Sequence, residues 1–474
     1  MNRRSKTLVA RIAFLLLLPL AVFAQLPAST RGWNLGNTLE PPAGEGAWGP
    51  AATQNLINAV ADAGFNTVRI PCAWDSHANQ TTYQIDPAWM ARVKQVVDWC
   101  YARNLYVVLN CHWDNGWLEN NITGTVNSTI DAKMNSYWTQ IATTFKNYDA
   151  KLLFAGANEP DVKTAAQMSA LLAYYQTYVN SVRATGGNNS SRWLVVQGPG
   201  TDIDLTDQLM NLLPTDPTPG RLMVEVHYYS PYQFTLMSSD ADWGKMFYFW
   251  GQGYHSASMP SRNATSGEEA FVEGQFQKMT AKFTSKGVPV LLGEFGAVKR
   301  VGYSDLTGAD LILHLASRAY FHRTVSESAD RHGLKSCYWD AGGSGNNGMW
   351  LFDRTTGAVI DPDNVAALTA GATPLDVAPT ITSQPSSQTT VVGTSVSFSV
   401  SATGTAPLSY QWYKGTAAIA GATSEAFALS TPSPQDAGSY SVAISNSAGS
   451  ATSSIAMLIV IVPPNGAVVT ITVE

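Results

Sequence analysis

Leu152-Leu-Phe-Ala-Gly-Ala-Asn-Glu-Pro160 reads as a strand that stops on a carboxylate. An apolar run of strand length halts at Asn158 and Glu159, and Pro160 forbids its continuation because it has no N–H to give a sheet neighbour. Pro289-Val-Leu-Leu-Gly-Glu-Phe-Gly296 has the same grammar: a short buried strand presents Glu294 with glycines on either side. Two strands therefore end in two acids.

Outward from these two stretches, the chain from residue 31 alternates short apolar strands with amphipathic segments of helical length. The pattern predicts strands at 32–35, 67–70, 106–110, 152–155, 193–197, 222–227, 290–293 and 336–339. Between them it predicts helices at 53–63, 87–103, 129–146, 164–183, 205–213, 268–285, 310–332 and 364–370, the fifth being crowded by Pro214, Pro217 and Pro219. Eight such alternations over roughly 340 residues argue for an α/β fold with a parallel sheet, closed as a (β/α)8 TIM barrel in preference to a doubly wound open sheet. In either arrangement ligands meet the carboxyl ends of the strands, which is where both glutamates fall.

Near Gly371 the helical period stops, Pro374 and Pro379 appear, and short alternating strands rich in Ser, Thr, Val and Gly take over. That is an all-β sandwich pattern. Gln411-Trp-Tyr-Lys414 offers it a buried tryptophan, and Asp436-Ala-Gly-Ser-Tyr440 looks like the tyrosine corner of immunoglobulin-like domains. Val400 and Val442 are expected to face Trp412 where antibody-type domains carry a disulfide. The expected organisation is a barrel at 25–372, a linker at 373–380, a C-terminal immunoglobulin-like sandwich at 381–462 and a tail at 463–474 with one β-like stretch, 468–473.

Residues 1–24 read as a secretory signal: Arg3, Arg4, Lys6 and Arg11 precede the apolar run 12–22, and small residues precede a cut after Ala24. Arg3-Arg4 alone is thin support for a twin-arginine signal. The expected destination is extracellular, with the periplasm as the alternative. No later run reaches the roughly 18 apolar residues of a membrane span, so no membrane anchor is expected. A net charge of -6, from 29 basic and 35 acidic residues without a basic block after the N-terminus, argues against nucleic acid and favours a neutral substrate. The 14 Trp, 19 Tyr and 16 Phe suit sugar stacking and equally suit a large core. Cys72 and Cys111 end successive strands, so a bridge and a pair of buried free thiols both stay open for them; Cys100 and Cys337 complete the set. There is no C-x-x-C pair for a structural zinc, no G-x-S-x-G elbow for a serine esterase, and no phosphate-loop lysine in the 342–348 glycine loop. No cofactor or metal is expected, and a monomer is.

Paired carboxyl groups are what glycosidic cleavage needs, since one must protonate the leaving oxygen while the other attacks or directs water. The motifs at the strand ends are Arg31-Gly-Trp-Asn-Leu-Gly-Asn-Thr-Leu39, Asn66-Thr-Val-Arg-Ile-Pro71, Asn110-Cys-His-Trp113, Ala157-Asn-Glu-Pro160, Val226-His-Tyr-Tyr-Ser-Pro231, Leu292-Gly-Glu-Phe-Gly296 and Tyr338-Trp339. In this order they resemble glycoside hydrolase family 5, the cellulase family with two catalytic glutamates on a (β/α)8 barrel. The resemblance spans roughly residues 31 to 342. It implies that Glu159 is the general acid/base, kept protonated near neutral pH, and that Glu294 is the ionised nucleophile with Arg69 holding its charge. It further implies that Asn158 binds the sugar 2-OH and that His112 and His227 support sugar hydroxyls and tune the carboxylates. Tyr229 then holds Glu294, Trp339 forms a stacking floor, and Asn34 supports the site. Tyr228, on the opposite side of its strand, is expected to pack outward. Of Trp48, Trp74, Trp113, Trp117, Tyr232, Trp243 and Trp250, three are expected to form outer subsites.

What the resemblance implies is a secreted retaining endo-β-1,4-glucanase acting on β-linked polysaccharide, with xyloglucan, mixed-linkage glucan or mannan as alternative substrates. A non-catalytic carbohydrate-binding barrel is a distant alternative that the presence of both glutamates disfavours. The immunoglobulin-like module is expected to be a spacer, although a sugar-binding role is open.

Overall fold

The computed structural model describes residues 26–464 apart from 343–344, 371–377, 406 and 447–448. The expected signal segment, most of the expected linker and the 468–473 stretch lie outside the described residues.

Eight parallel strands close into a barrel in sequence order: β1 (Arg31–Leu35), β2 (Thr67–Ile70), β3 (Tyr106–Asn110), β4 (Leu152–Ala155), β5 (Leu194–Gln197), β6 (Leu222–Tyr228), β7 (Val290–Phe295) and β8 (Leu334–Asp340). Closure is direct, with Trp33 opposite Tyr338 and Asn34 opposite Trp339 on β1 and β8. Strands β6, β7 and β8 run further than the apolar pattern predicts. Their last residues, including His227, Glu294 and Asp340, stay on the backbone ladder while carrying polar side chains, so hydrophobicity ends before hydrogen bonding does.

The outer ring is α1 (Gln54–Asp62), α2 (Pro87–Ala102), α3 (Ser128–Phe145), α4 (Ala165–Ala184), α5 (Ile203–Leu209), the single turn α6 (Tyr232–Thr235), α7 (Glu269–Lys282), α8 (Gly308–Arg331) and α9 (Pro362–Thr369). Side-chain caps set many of the starts: Thr53, Asp86, Asn127, Thr164 and Asp202 each accept a first-turn N–H. Asp202 starts α5 earlier than the apolar pattern suggests, and the helix ends at Leu209, before the prolines. The excursion between β6 and α7 packs Met237, Met246, Tyr248 and Phe249 with Leu306 into a small core of its own.

Inside the barrel, Val108, Leu153, Val195, Met223, Leu291 and Cys337 fill the lumen, joined by Leu26 and Trp193. That packing makes the barrel a core, so any ligand must sit at its rim. All four cysteines are buried and free. The bridge left open for Cys72 and Cys111 is not formed, and burial pushes both thiols well above their ordinary range.

The C-terminal region is a sandwich around Phe398, Val400, Trp412, Tyr440 and Val442. Val442 pairs with Trp412 from the neighbouring strand, and both valines lie in the buried cluster, so apolar contact stands where a disulfide would. Tyr440 closes the corner by donating its hydroxyl to the carbonyl of Asp436, 2.8 Å away. No helix among the described residues is long and apolar enough to cross a membrane.

Candidate active site

The site is built at the carboxyl ends of the strands. Glu159 follows β4 in the turn that Pro160 enforces, and Glu294 stands near the end of β7. One oxygen of each, with a ring nitrogen of His227, lie within 4.8 Å of one another. Arg69, fully buried on β2, donates from Nη1 to Glu294 Oε1 at 2.9 Å and to Asn34 Oδ1 at 2.9 Å, and from Nη2 to Asn158 Oδ1 at 3.0 Å. Tyr229 donates its hydroxyl to the other oxygen of Glu294 at 3.0 Å. Glu294 is thus held from two sides.

Asn158 has its carbonyl taken by Arg69, which leaves the amide NH2 as its remaining donor. Asn34 gives its own NH2 to the carbonyls of Gly293 and Tyr338, at 2.9 and 3.1 Å, and is fully buried. It braces Arg69 from behind and is closed to a ligand. His112 lies parallel to Trp339, planes 8° apart and ring centroids at 5.7 Å, so the two make a flat, partly open wall. Burial, then the charges of Arg69 and His227, hold His112 well below its ordinary range, so it is neutral. Tyr228 packs outward against Phe276 and Phe321, as alternation along β6 requires.

His227 sits between the acids. Its Nδ1 is 2.7 Å from Glu159 Oε1 and 3.7 Å from Glu294 Oε2. Burial alone would lower its affinity for a proton, but the Glu294 charge, the Glu159 and Glu225 hydrogen bonds and the Glu159 charge raise it to about 9. His227 is a cation at neutral pH. For Glu159, burial pushes upward, but the hydrogen bond and charge of His227, then Arg69 and the Thr201 hydroxyl, hold it below the ordinary carboxylate value. Its side chain is 47% exposed, which weakens the burial effect further and leaves the direction intact. Glu294 moves the other way: burial, with the charges of Glu159 and Glu225, outweighs His227 and Arg69 and raises it. These directions run against a proton resting on Glu159 in the free protein, where one was expected. The proton of the cluster rests on His227, one hydrogen bond away from Glu159.

Sequence reasoning missed Glu225, Gln197, Thr201 and Phe271. Glu225 is fully buried two residues before His227 on the same face of β6, and the period of 2 through Glu225, His227 and Tyr229 was the available signal. Thr201 adopts a left-handed backbone (φ 49°), uncommon for a β-branched residue, and brings its hydroxyl within 3.4 Å of Glu159. A cavity of about 250 Å3 opens beside Glu159, lined by Thr201, Asp202, Tyr229, Phe271 and Gln275 but not by Glu294 or Arg69. Among the loop aromatics, Trp74, Trp117 and Trp250 are buried in the core, which removes them as subsites; Trp74 and Trp250 spend their indole N–H on the carbonyls of Asn110 and Gly267. Trp48, Trp113, Tyr232 and Trp243 are exposed.

Two carboxylates this close, one clamped by arginine and tyrosine and the other open to solvent, on the rim of a closed eight-stranded barrel, define a glycoside hydrolase. Comparison with known proteins gives the particular family. Residues 29–345 match the family model described as cellulase (glycosyl hydrolase family 5), and residues 378–446 match an immunoglobulin domain. Endoglucanase A of Paenibacillus barcinonensis is 34% identical over 72% of this chain and 87% of its own length. The xyloglucan-specific endo-beta-1,4-glucanase BoGH5A of Bacteroides ovatus is 34% identical over 72% of this chain and 68% of its length. Among solved structures, XEG5B, a xyloglucan-specific beta-1,4-glucanase from a ruminal metagenomic library, is 41% identical with a TM-score of 0.65, covering 72% of this chain and 94% of that one. The chain belongs to glycosyl hydrolase family 5 and carries an immunoglobulin-like domain after the barrel.

Proposed function

We propose that this protein is an exported, retaining endo-β-1,4-glucanase that cleaves internal bonds of a β-glucan by double displacement, with Glu294 as nucleophile and Glu159 as acid/base. The observation that carries this is the approach of the two carboxyl groups, one oxygen of each lying within 4.8 Å of the other, which suits the roughly 5–5.5 Å spacing of retaining enzymes better than the roughly 6.5–9.5 Å that inversion needs for an intervening water.

The geometry supplies each step. Glu294, gripped by Arg69 and Tyr229, presents its carboxylate to the anomeric carbon; the bond to the leaving oxygen breaks as that oxygen takes a proton from Glu159. A sugar seated against the open half of Glu159 strips its water, which raises its affinity for the proton that His227 holds at 2.7 Å. Water then attacks the glycosyl-enzyme, gives its proton to Glu159, which returns one to His227, and frees Glu294. The NH2 of Asn158 faces the sugar 2-OH, and Trp339 with His112 forms the stacking wall. The cavity on the Glu159 side takes the leaving portion of the polymer.

Xyloglucan is favoured among the substrates because relatives named for it include the structure at 41% identity. Reducing-sugar release from xyloglucan, mixed-linkage glucan, carboxymethylcellulose and mannan ranks the substrates, and NMR of the first product formed should show the β-anomer. Glu294→Ala should lower kcat by more than about a thousandfold with KM little changed. An α-anomeric first product, or wild-type turnover in that variant, refutes the assignment.

A further inference from the structure

Glu225 has no role in the chemistry just described, yet it lies at the centre of the cluster's wiring. Its Oε1 is 2.9 Å from Arg69 Nε and 3.2 Å from His227 Nε2, and its Oε2 accepts from Gln197 Nε2 at 2.6 Å. The contact to Arg69 is an ion pair rather than an aligned hydrogen bond. Gln197 in turn accepts the N–H of Ala157 at 2.8 Å, in the turn that delivers Asn158 and Glu159. The carboxylate has its space because residue 293 is glycine: a Cβ there would stand 1.9 Å from Glu225 Oε1. No solvent reaches it.

We propose that Glu225 is a positioning residue that locks His227 and Arg69 against the acid pair and decides which nitrogen of His227 faces Glu159. This rests on the hydrolase reading above. An ionised carboxylate only accepts hydrogen bonds, so it requires His227 Nε2 to carry a proton and sends the exchangeable Nδ1 proton toward Glu159. The same oxygen anchors Arg69 from behind, leaving both terminal nitrogens of the guanidinium for Glu294, Asn34 and Asn158. The charged groups facing His227 are Glu159 after β4, Glu225 on its own strand, Glu294 on β7 and Arg69 on β2; the neutral, titratable His112 after β3 and the Tyr229 phenol beside Glu294 complete its surroundings.

Glu225→Gln keeps the shape and removes one negative charge. Every remaining carboxyl then ionises more easily and His227 loses its proton more easily. Both limbs of the kcat/KM pH profile should move to lower pH, the alkaline one by about one unit or more, and kcat should fall at least about tenfold with KM changed less than about threefold. Glu225→Asp, which retains the charge on a shorter arm, should lose kcat while its limbs stay near wild type. A Glu225→Gln profile that overlays wild type, or one that falls in amplitude without moving, overturns the proposal. If that variant does not fold, NMR titration of the wild-type imidazole decides: an imidazolium at pH 7, with N–H on both Nε2 and Nδ1, supports it, and a neutral ring overturns it. Should the wild type hydrolyse no β-glucan at all, the hydrolase reading fails, whereas the imidazole titration still reads the Glu225 contact.

Discussion

Single side chains carry two kinds of buried acid here, and they answer pH differently. Glu225 is paired twice over and is held below its ordinary value by Arg69 and His227 against the pull of burial. Glu119, beneath the turn that bears Glu159, is as buried, but neither of its oxygens has a hydrogen-bond partner among the described residues. Burial raises it to about 8 against the opposing pull of the backbone amides of Glu119 and Asn158, and the charges of Asp114 and Glu159 add to the rise. A carboxyl whose folded value lies above its unfolded 4.5 contributes stability that is fully present below 4.5 and is lost as pH rises through 8. Glu119→Gln, neutral at every pH, should therefore match wild type at pH 4.5 and exceed it by about 1–3 kcal/mol at pH 8.5. Denaturant midpoints at the two pH values read this, and a variant less stable than wild type at pH 8.5 would contradict it. At this scale the sequence shows residues that end a strand next to Pro or Gly, such as Glu159 and Glu294. It hides Glu225, since a lone acid inside an apolar strand looks like an interruption until the barrel closes and Arg69 arrives opposite. It equally hides which loop tryptophans fold inward, because exposure in a loop is decided by the neighbouring loop.

Elements were legible wherever one periodicity ran unbroken. The ranges 67–70, 106–110 and 152–155 coincide with β2, β3 and β4; β3 and β4 are apolar or nearly so, and in β2 the apolar Val68 and Ile70 alternate with Thr67 and Arg69. The ends of β6 and β7 were not legible, for the ladder there carries polar side chains and a register shift, between Val226 and His227 on one strand and at Gly293 on the other. That irregularity aims Glu294 into the mouth. Because Gly293 has no tolerable room for a Cβ beside Glu225, Gly293→Ala must spread β6 from β7 or rotate Glu225 off its partners. The expected result is a loss of about 1–3 kcal/mol in stability together with a fall in kcat of more than about tenfold. Equilibrium unfolding and steady-state kinetics on the same preparation measure both; unaltered kinetics would mean the strand pair absorbs the methyl group without moving the acid.

The whole molecule joins a barrel and a sandwich, and among the described residues the lumen of the one and the centre of the other share no buried residue. Every group assigned to the chemistry lies on the barrel, between Asn34 and Trp339. The change of grammar after residue 371 was legible because a helical period gives way to alternation, whereas the use of the second module has no comparable signal, its sheets showing no row of exposed aromatic rings among the described residues. Trp412 offers a way to separate the two. It is fully buried, lies tilted against Phe398 and Phe427, and gives its indole N–H to the carbonyl of Ser424 at 2.9 Å. Truncating such a residue costs about 3–5 kcal/mol, a large part of what a domain of this size holds in reserve. Trp412→Ala should therefore bring the sandwich's calorimetric transition to lower temperature or abolish it, while the barrel's transition and kcat/KM on a soluble β-glucan stay within about twofold of wild type. If the barrel's transition falls with it, the sandwich is a stabilising neighbour; if only hydrolysis of insoluble glucan falls, it is a contact surface for the polymer. Unchanged values on both substrates are the result expected of a spacer.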